Sequence, residues 1–248
     1  MPTFNQYSEY YDLIYQDKDY QHESECITQL IHAHSSACKT ILELGCGTGR
    51  HASYMAQQFK IYAIDTSQEM LNCASQYASQ GIHFERGDVR NYRLNQTVDT
   101  VISMFHVASY QVRMQDLMDY FQTARLHLDT GGIFIFDCWY GPAVLSQQPE
   151  VRTKVVENNR FKITRKAQPN LDHLHNTVSV VYDIGVMNKE TQQKQSFAET
   201  HIMRYLFMSE IESLAHQNQF KVLDVKEWLT NKQPSLNTWS VYFVLVAI

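Results

Sequence analysis

The sequence has no cysteines paired at metal or redox spacing, no run of basic residues and no long apolar stretch. Its five cysteines (Cys26, Cys38, Cys46, Cys73, Cys138) are odd in number, scattered and never spaced C-x-x-C. They read as free thiols in a reducing compartment. Formal net charge is -5, which with the missing basic run argues against a nucleic-acid partner. Nothing approaches the roughly 18 consecutive apolar residues of a membrane span. The segment Met1 to Tyr15 is polar and aromatic, unlike a signal peptide. A cytoplasmic location is therefore expected. His32 with His34 has no third ligand nearby, and His173 with His175 sits in a turn where such pairs are more often exposed than ligating, so no metal is expected.

The most informative stretch is Thr40 to Arg50. Ile41, Leu42 and Leu44 read as a buried parallel strand that stops at Gly45, Gly47 and Gly49, after which a helix pattern begins. Glycines let the chain turn sharply and let a ligand lie against bare backbone. The form is G-x-G-x-G, without the dinucleotide spacing and without the Lys-Ser/Thr of a P-loop. Glu43 stands where a cationic ligand would gain from it.

The pattern then repeats. His51 to Phe59 reads as a helix, and Ile61 to Ile64 as a strand ending at Asp65, where a doubly wound sheet places an acceptor for a ribose hydroxyl pair. Thr66 to Glu69 reads as a capping box ahead of a helix through Met70 and Leu71. A third strand, Ile82 to Glu85, leads to Asp88 and Val89. An acid followed by an apolar residue there suits an adenine, amine to the acid and ring to the apolar surface. A fourth strand, Thr100 to Phe105, opens into His106–Tyr110 at the carboxyl edge of the sheet. A helix over about Gln115–Leu128 and a Gly131-Gly132 turn precede a fifth strand, Ile133–Phe136. Successive βα units predict an α/β fold with a Rossmann-like parallel sheet.

Upstream, five tyrosines (Tyr7, Tyr10, Tyr11, Tyr15, Tyr20) and Phe4 crowd the first twenty residues. They form either an amphipathic helix resting on the core or an aromatic lid whose hydroxyls reach a ligand. Glu23 to Ile31 reads as a helix. Downstream, residues 139–207 alternate with period two and read as about three antiparallel strands, inserted between the fifth strand and the last helix. This insert is either a wall of the substrate pocket or a dimerisation surface. Residues 1–138 are thus expected to hold the lid and ligand-binding core. Residues 208–248, with a helix from Ser209 to about Asn218 and strands over Lys221–Trp228 and Trp239–Val246, complete the sheet.

Glu43-x-Gly45-x-Gly47-x-Gly49, Asp65-x-Ser67-x-x-Met70-Leu71, Gly87-Asp88-Val89 and Leu128-x-x-Gly131-Gly132 together resemble class I S-adenosylmethionine-dependent methyltransferases over about Ile41 to Asp137. The resemblance implies S-adenosylmethionine as cofactor. Gly45 and Gly47 would lie against its methionine part and Glu43 near its charged end. Asp65 would take the ribose hydroxyls, Met70 would touch the adenine, and Asp88 with Val89 would hold its edge. Tyr11, Tyr20, Cys46, Gly49, Thr66 and Met104 complete the cofactor set it implies.

Tyr11-Asp12-Leu13, Lys18-Asp19-Tyr20, Met104-Phe105 ahead of Tyr110, Trp139, and Glu199-x-His201 before Leu206-Phe207 narrow the likeness. They resemble nucleotide-linked aminosugar N,N-dimethyltransferases. That likeness implies methylation of an aminodeoxysugar on a dTDP-type carrier, by direct displacement; the oligomeric state stays open, a homodimer among the possibilities. Tyr7 and Tyr110 match the positions near the sugar amine, with His106 or Tyr110 as an optional base. Trp139, Tyr140, His201, Arg204 and Asn237 are the substrate-side candidates, Arg204 because an anionic nucleotide needs cationic donors. The family pattern Pro-Ser-Gly-Arg-Gly departs here to Pro234-Ser235-Leu236-Asn237-Thr238, without its arginine. Two other readings remain open: a methyltransferase for another small N- or O-acceptor, and a non-catalytic cofactor binder.

Overall fold

The structure is a computed structural model describing Phe4, residues 6–79 and residues 81–248. A seven-stranded sheet forms its centre. It comprises β1 (Thr40–Leu44), β2 (Lys60–Asp65), β3 (Ile82–Arg86), β4 (Val98–Ser103), β5 (Leu128–Trp139), β10 (Phe220–Glu227) and β11 (Ser240–Ala247). Their order is β10-β11-β5-β4-β1-β2-β3. β1 to β5 run parallel, and β11 lies antiparallel between β5 and β10.

Neighbouring side chains on a strand point to opposite faces, and the sequence fills both. Leu42 and Leu44 join Phe134, Phe136 and Phe243 under α5 (Met114–Leu126) and α7 (Met208–Gln217). Ile41 joins Ile61, Ile102 and Ile135 under α2 (Tyr20–His34) and α3 (Arg50–Met55). A sheet buried on both faces explains the unbroken apolar runs of its inner strands. Strand order reverses between β1 and β4, so a crevice opens at their carboxyl ends, the usual ligand position in such sheets. Among the described residues, no helix is long and apolar enough to cross a membrane.

The insert holds four strands, not three: β6 (Arg152–Glu157), β7 (Phe161–Asp172), β8 (Thr177–Asn188) and β9 (Lys194–Arg204), paired antiparallel in that order. The missed strand, β6, is an edge with Val156 as its one buried side chain, so it shows no alternation. Helix α6 (Gly141–Gln147) was also unforeseen. The insert packs on α1 (Tyr7–Ile14). Tyr7, Tyr10, Tyr11 and Ile14 meet Val156, Ile163, Ile184 and Val186 of the sheet, and Met70 of α4 (Gln68–Ala74). The tyrosine-rich helix is therefore gripped between the insert and the ligand-binding half of the sheet.

Two local expectations need correction. Gly131 and Gly132 lie inside β5, where the register with β4 shifts, rather than in a turn before it. The capping box does not close. Ser67 is the cap and its Oγ accepts from Met70 N at 3.2 Å, which leaves Glu69 at the second helical position, one short of where a box needs its acid.

Candidate functional site

The glycine turn is built by what it excludes. Gly45 has φ 78°, and a Cβ there would stand 2.6 Å from Val107 Cγ2. Gly49 caps α3 with φ 73°, and its Cβ would meet Phe84 Cζ at 2.7 Å. Both positions need the left-handed conformation and the missing side chain together. Gly45 N and Cys46 N donate to Ile64 O, each at 2.8 Å, tying the loop to the end of β2.

Asp65 organises the next wall. Its carboxylate accepts from Gly47 N and Ser67 N, each at 2.9 Å. Burial raises its pKa, while the Ser67, Gly47 and Thr66 amides pull the other way. Between these walls lies a cavity of about 680 Å³. The structure brings Tyr11, Tyr20, Gly45, Cys46, Gly47, Asp65, Thr66, Met70, Asp88, Val89, Met104 and Tyr110 to its lining. Gly49 stays behind the loop as a helix cap.

Glu43 does not reach the lining. It is 1% exposed, and among the described residues its buried Oε2 has no hydrogen-bond partner. Burial, then the charge of Asp65, pushes its pKa up to about 8. Asp88 is the opposite case. Arg90 grips it with Nε 2.9 Å from Oδ1 and Nη2 2.5 Å from Oδ2, and this guanidinium holds the carboxyl below its ordinary value. Arg90 also donates to Asp116 Oδ1 at 3.2 Å. The acid read as an adenine acceptor thus has only part of its accepting capacity left.

Several lining residues were not anticipated. Arg50 follows Gly49 directly, and its guanidinium sits 5.1 Å from the Tyr20 ring centre. Among the described residues it has no carboxylate within ion-pair distance. His51 pairs with Glu23 at 2.9 Å, and Lys18 also pairs with Glu23. Thr48 donates to Asp12 Oδ1 at 2.8 Å, which fastens α1 to the glycine loop. Position beside the loop was the available signal for Arg50; nothing in the sequence marked Glu23.

The substrate-side candidates divide. Tyr110 Oη lies 2.8 Å from His201 Nδ1, so a cavity residue and one from β9 meet. Tyr7 is 1% exposed and not in the lining; its hydroxyl accepts from Arg165 Nη1 at 2.9 Å. With burial raising its pKa strongly, it is unsuited to be a base. His106 also lies outside the lining, its Nδ1 2.8 Å from Asp137 Oδ2. Phe105 and His106 both have positive φ, 63° and 67°, so the turn after β4 stores backbone strain.

Arg204 is already spent, with Nη1 donating to Val112 O at 3.0 Å and Nη2 to Glu210 Oε1 at 2.5 Å. Asn237 Oδ1 accepts from Gln147 Nε2 at 2.8 Å, pinning its loop to α6. Trp139 packs against His106 and Trp239 with ring centres 6.3 Å and 5.9 Å away. Tyr140 bridges to Leu206. None of these four lines the cavity, because local partners already hold them.

Comparison with known proteins places residues 41–132 in the family described as "Methyltransferase domain". The dTDP-3-amino-3,4,6-trideoxy-alpha-D-glucopyranose N,N-dimethyltransferase of Streptomyces venezuelae is 28% identical over 139 residues, which are 55% of this chain and 58% of that protein. The dTDP-3-amino-3,6-dideoxy-alpha-D-glucopyranose N,N-dimethyltransferase of Streptomyces fradiae is 26% identical over 54% of each. The chain thus spans about half the length of these curated relatives. The solved S-adenosylmethionine-dependent methyltransferase from Clostridium acetobutylicum matches with TM-score 0.82 and 27% identity, covering 98% of this chain and 99% of that one. The resemblance carried by the glycine loop and both acids therefore holds over that stretch: residues 41–132 match a methyltransferase domain, within a fold shared with a solved S-adenosylmethionine-dependent methyltransferase.

Proposed function

We propose that this class I methyltransferase N-methylates the amine of a nucleotide-linked, dTDP-type aminodeoxysugar in the cytoplasm. The names of the curated relatives support the acceptor class. The observation that carries the reading is the cavity at the strand-order reversal, with cofactor-type walls on one side and Tyr110 on the other.

The residues fit the cofactor. Asp65 keeps accepting capacity for paired hydroxyls, and Val89 and Met70 offer apolar surface to a base. Arg50 is a cation without a carboxylate partner among the described residues and suits the carboxylate of the methionine arm. Glu43 is a buried acid whose Oε2 has no hydrogen-bond partner among the described residues, next to Asp65 and Cys46. When bound, S-adenosylmethionine supplies an already activated methyl. The protein's task is then to align a neutral amine in line with it, and alignment alone is worth several kcal/mol of barrier. Phe4, Tyr11 and Tyr110 line that side with aromatic surface.

A second reading rests on Arg204 and Asn237. With both Arg204 Nη atoms bound to Val112 and Glu210 and Asn237 Oδ1 tied to Gln147, neither residue lines the cavity, which favours a smaller acceptor without a diphosphate. Turnover with S-adenosylmethionine against a panel of aminodeoxysugar nucleotides, simple amines and hydroxylated metabolites separates the readings. Methylation confined to the last two sets would overturn the aminosugar reading.

A further inference from the structure

Tyr110 faces the cavity, and on its other side its hydroxyl meets His201 Nδ1 at 2.8 Å. His201 Nε2 lies 3.4 Å from Glu199 Oε2. Glu199 is fixed in turn by the Phe4 amide at 2.9 Å and the Tyr7 amide at 3.2 Å. Tyr110 comes from the short turn after β4. Glu199 and His201 stand two apart on β9, so both point to its buried face. We propose that Tyr110, His201 and Glu199 form a proton relay that carries the acceptor's displaced proton out of the cavity, with His201 as terminal acceptor. The proposal deepens the methyl-transfer reading and rests on it.

The direction of the relay follows from the donors and acceptors. The Glu199 charge, 3.4 Å from Nε2 though outside hydrogen-bond geometry, draws the imidazole proton to Nε2 and leaves Nδ1 with its lone pair toward Tyr110. Glu199 stays ionised: burial alone would raise its pKa, but the contact with His201 and the Phe4 and Tyr7 amides outweigh it. Tyr110 stays a phenol, because burial first and then the neighbouring Tyr182 and Tyr15 raise its pKa.

The proton step balances without another reactant. The acceptor's N–H bond breaks and its electron pair returns to nitrogen as the proton joins Tyr110 Oη. Tyr110's own proton moves to His201 Nδ1, so the phenol is regenerated and an imidazolium forms beside the Glu199 carboxylate. The rings of Phe4, Tyr182 and Tyr7 enclose the imidazole, with centres 4.9, 4.9 and 5.8 Å away. The positive charge beyond them is Arg165, held at Tyr7 Oη and 5.0 Å from the Tyr182 ring. His201 is 2% exposed, so bulk water does not compete for the proton. His106 has a similar acid partner in Asp137 but no contact with the cavity.

Two measurements test the relay. Nitrogen NMR of histidine-labelled protein should show His201 neutral with its proton on Nε2, and Nδ1 should shift in Tyr110→Phe. A proton on Nδ1 overturns the relay whatever the acceptor proves to be. With a dTDP-aminodeoxysugar that the wild type methylates, His201→Gln and Tyr110→Phe should each slow kcat about 10²-fold near neutral pH. KM should hold, and activity should recover at alkaline pH, where solvent takes the amine proton. A His201→Gln enzyme with the wild-type rate and pH profile overturns it. If that variant fails to fold or to bind S-adenosylhomocysteine, Glu199→Gln decides in its place, by a displaced or an unchanged pH limb. If the wild type methylates none of the panel, the acceptor reading fails, and the NMR result still decides the relay.

Discussion

Replacing Glu43 by glutamine keeps the shape of a fully buried side chain and removes its charge. Burial and Asp65 push this carboxyl from its ordinary 4.5 up to about 8. Between those values the folded protein holds a proton that the unfolded chain has released. Stability therefore falls as pH rises through the window, by up to about 1.4 kcal/mol per pH unit and about 5 kcal/mol in all. Below the window both states are neutral and the cost vanishes; above it the cost is complete. In Glu43→Gln this pH dependence disappears, while a buried amide without an acceptor costs about 1–3 kcal/mol at every pH. Urea unfolding of both proteins should find the variant weaker at about pH 5 and stronger by about 2–4 kcal/mol above pH 8. Parallel stability curves for the two proteins would refute the reasoning. Affinity for cationic S-adenosylmethionine should also rise toward pH 8 in the wild type and stay flat in the variant.

Asp65→Asn should weaken S-adenosylmethionine binding by about 10²-fold in calorimetry, since a charge-assisted hydrogen bond is worth about 1.5–3 kcal/mol. Arg50→Met should lose about tenfold or more in affinity for S-adenosylhomocysteine with little change in melting temperature, its guanidinium having no carboxylate partner among the described residues. Gly45→Ala puts a methyl 2.6 Å from Val107 at φ 78° and should cost about 1–3 kcal/mol of stability together with cofactor binding. Tyr7→Phe strips one acceptor from Arg165 and should cost about 1–3 kcal/mol of unfolding free energy while slowing methyl transfer only modestly.

What the sequence revealed was local. The glycine loop, Asp65, Asp88 and the strand-helix alternation are encoded within short windows, where backbone need and residue type coincide. Tyr110 and His201 lie 91 residues apart, and only the packing of β9 against the turn after β4 joins them. Arg204 and Asn237 look the same in sequence whether free or held; Glu210 and Gln147 decide, and no spacing announces that. The Arg90 fork on Asp88 was adjacent but silent, because an acid two residues from an arginine is common on any surface. β6 escaped because an edge strand needs little apolar patterning.

Methyl transfer to a nucleotide-linked amine in the cavity at the glycine loop is open to a direct assay. Mass spectrometry of a reaction containing the protein, S-adenosylmethionine and a dTDP-aminodeoxysugar tests it most directly. Methylated sugar nucleotide and an equal amount of S-adenosylhomocysteine are expected, both strongly reduced in Asp65→Asn. Unchanged sugar nucleotides across the panel, with S-adenosylmethionine bound but not consumed, would contradict it.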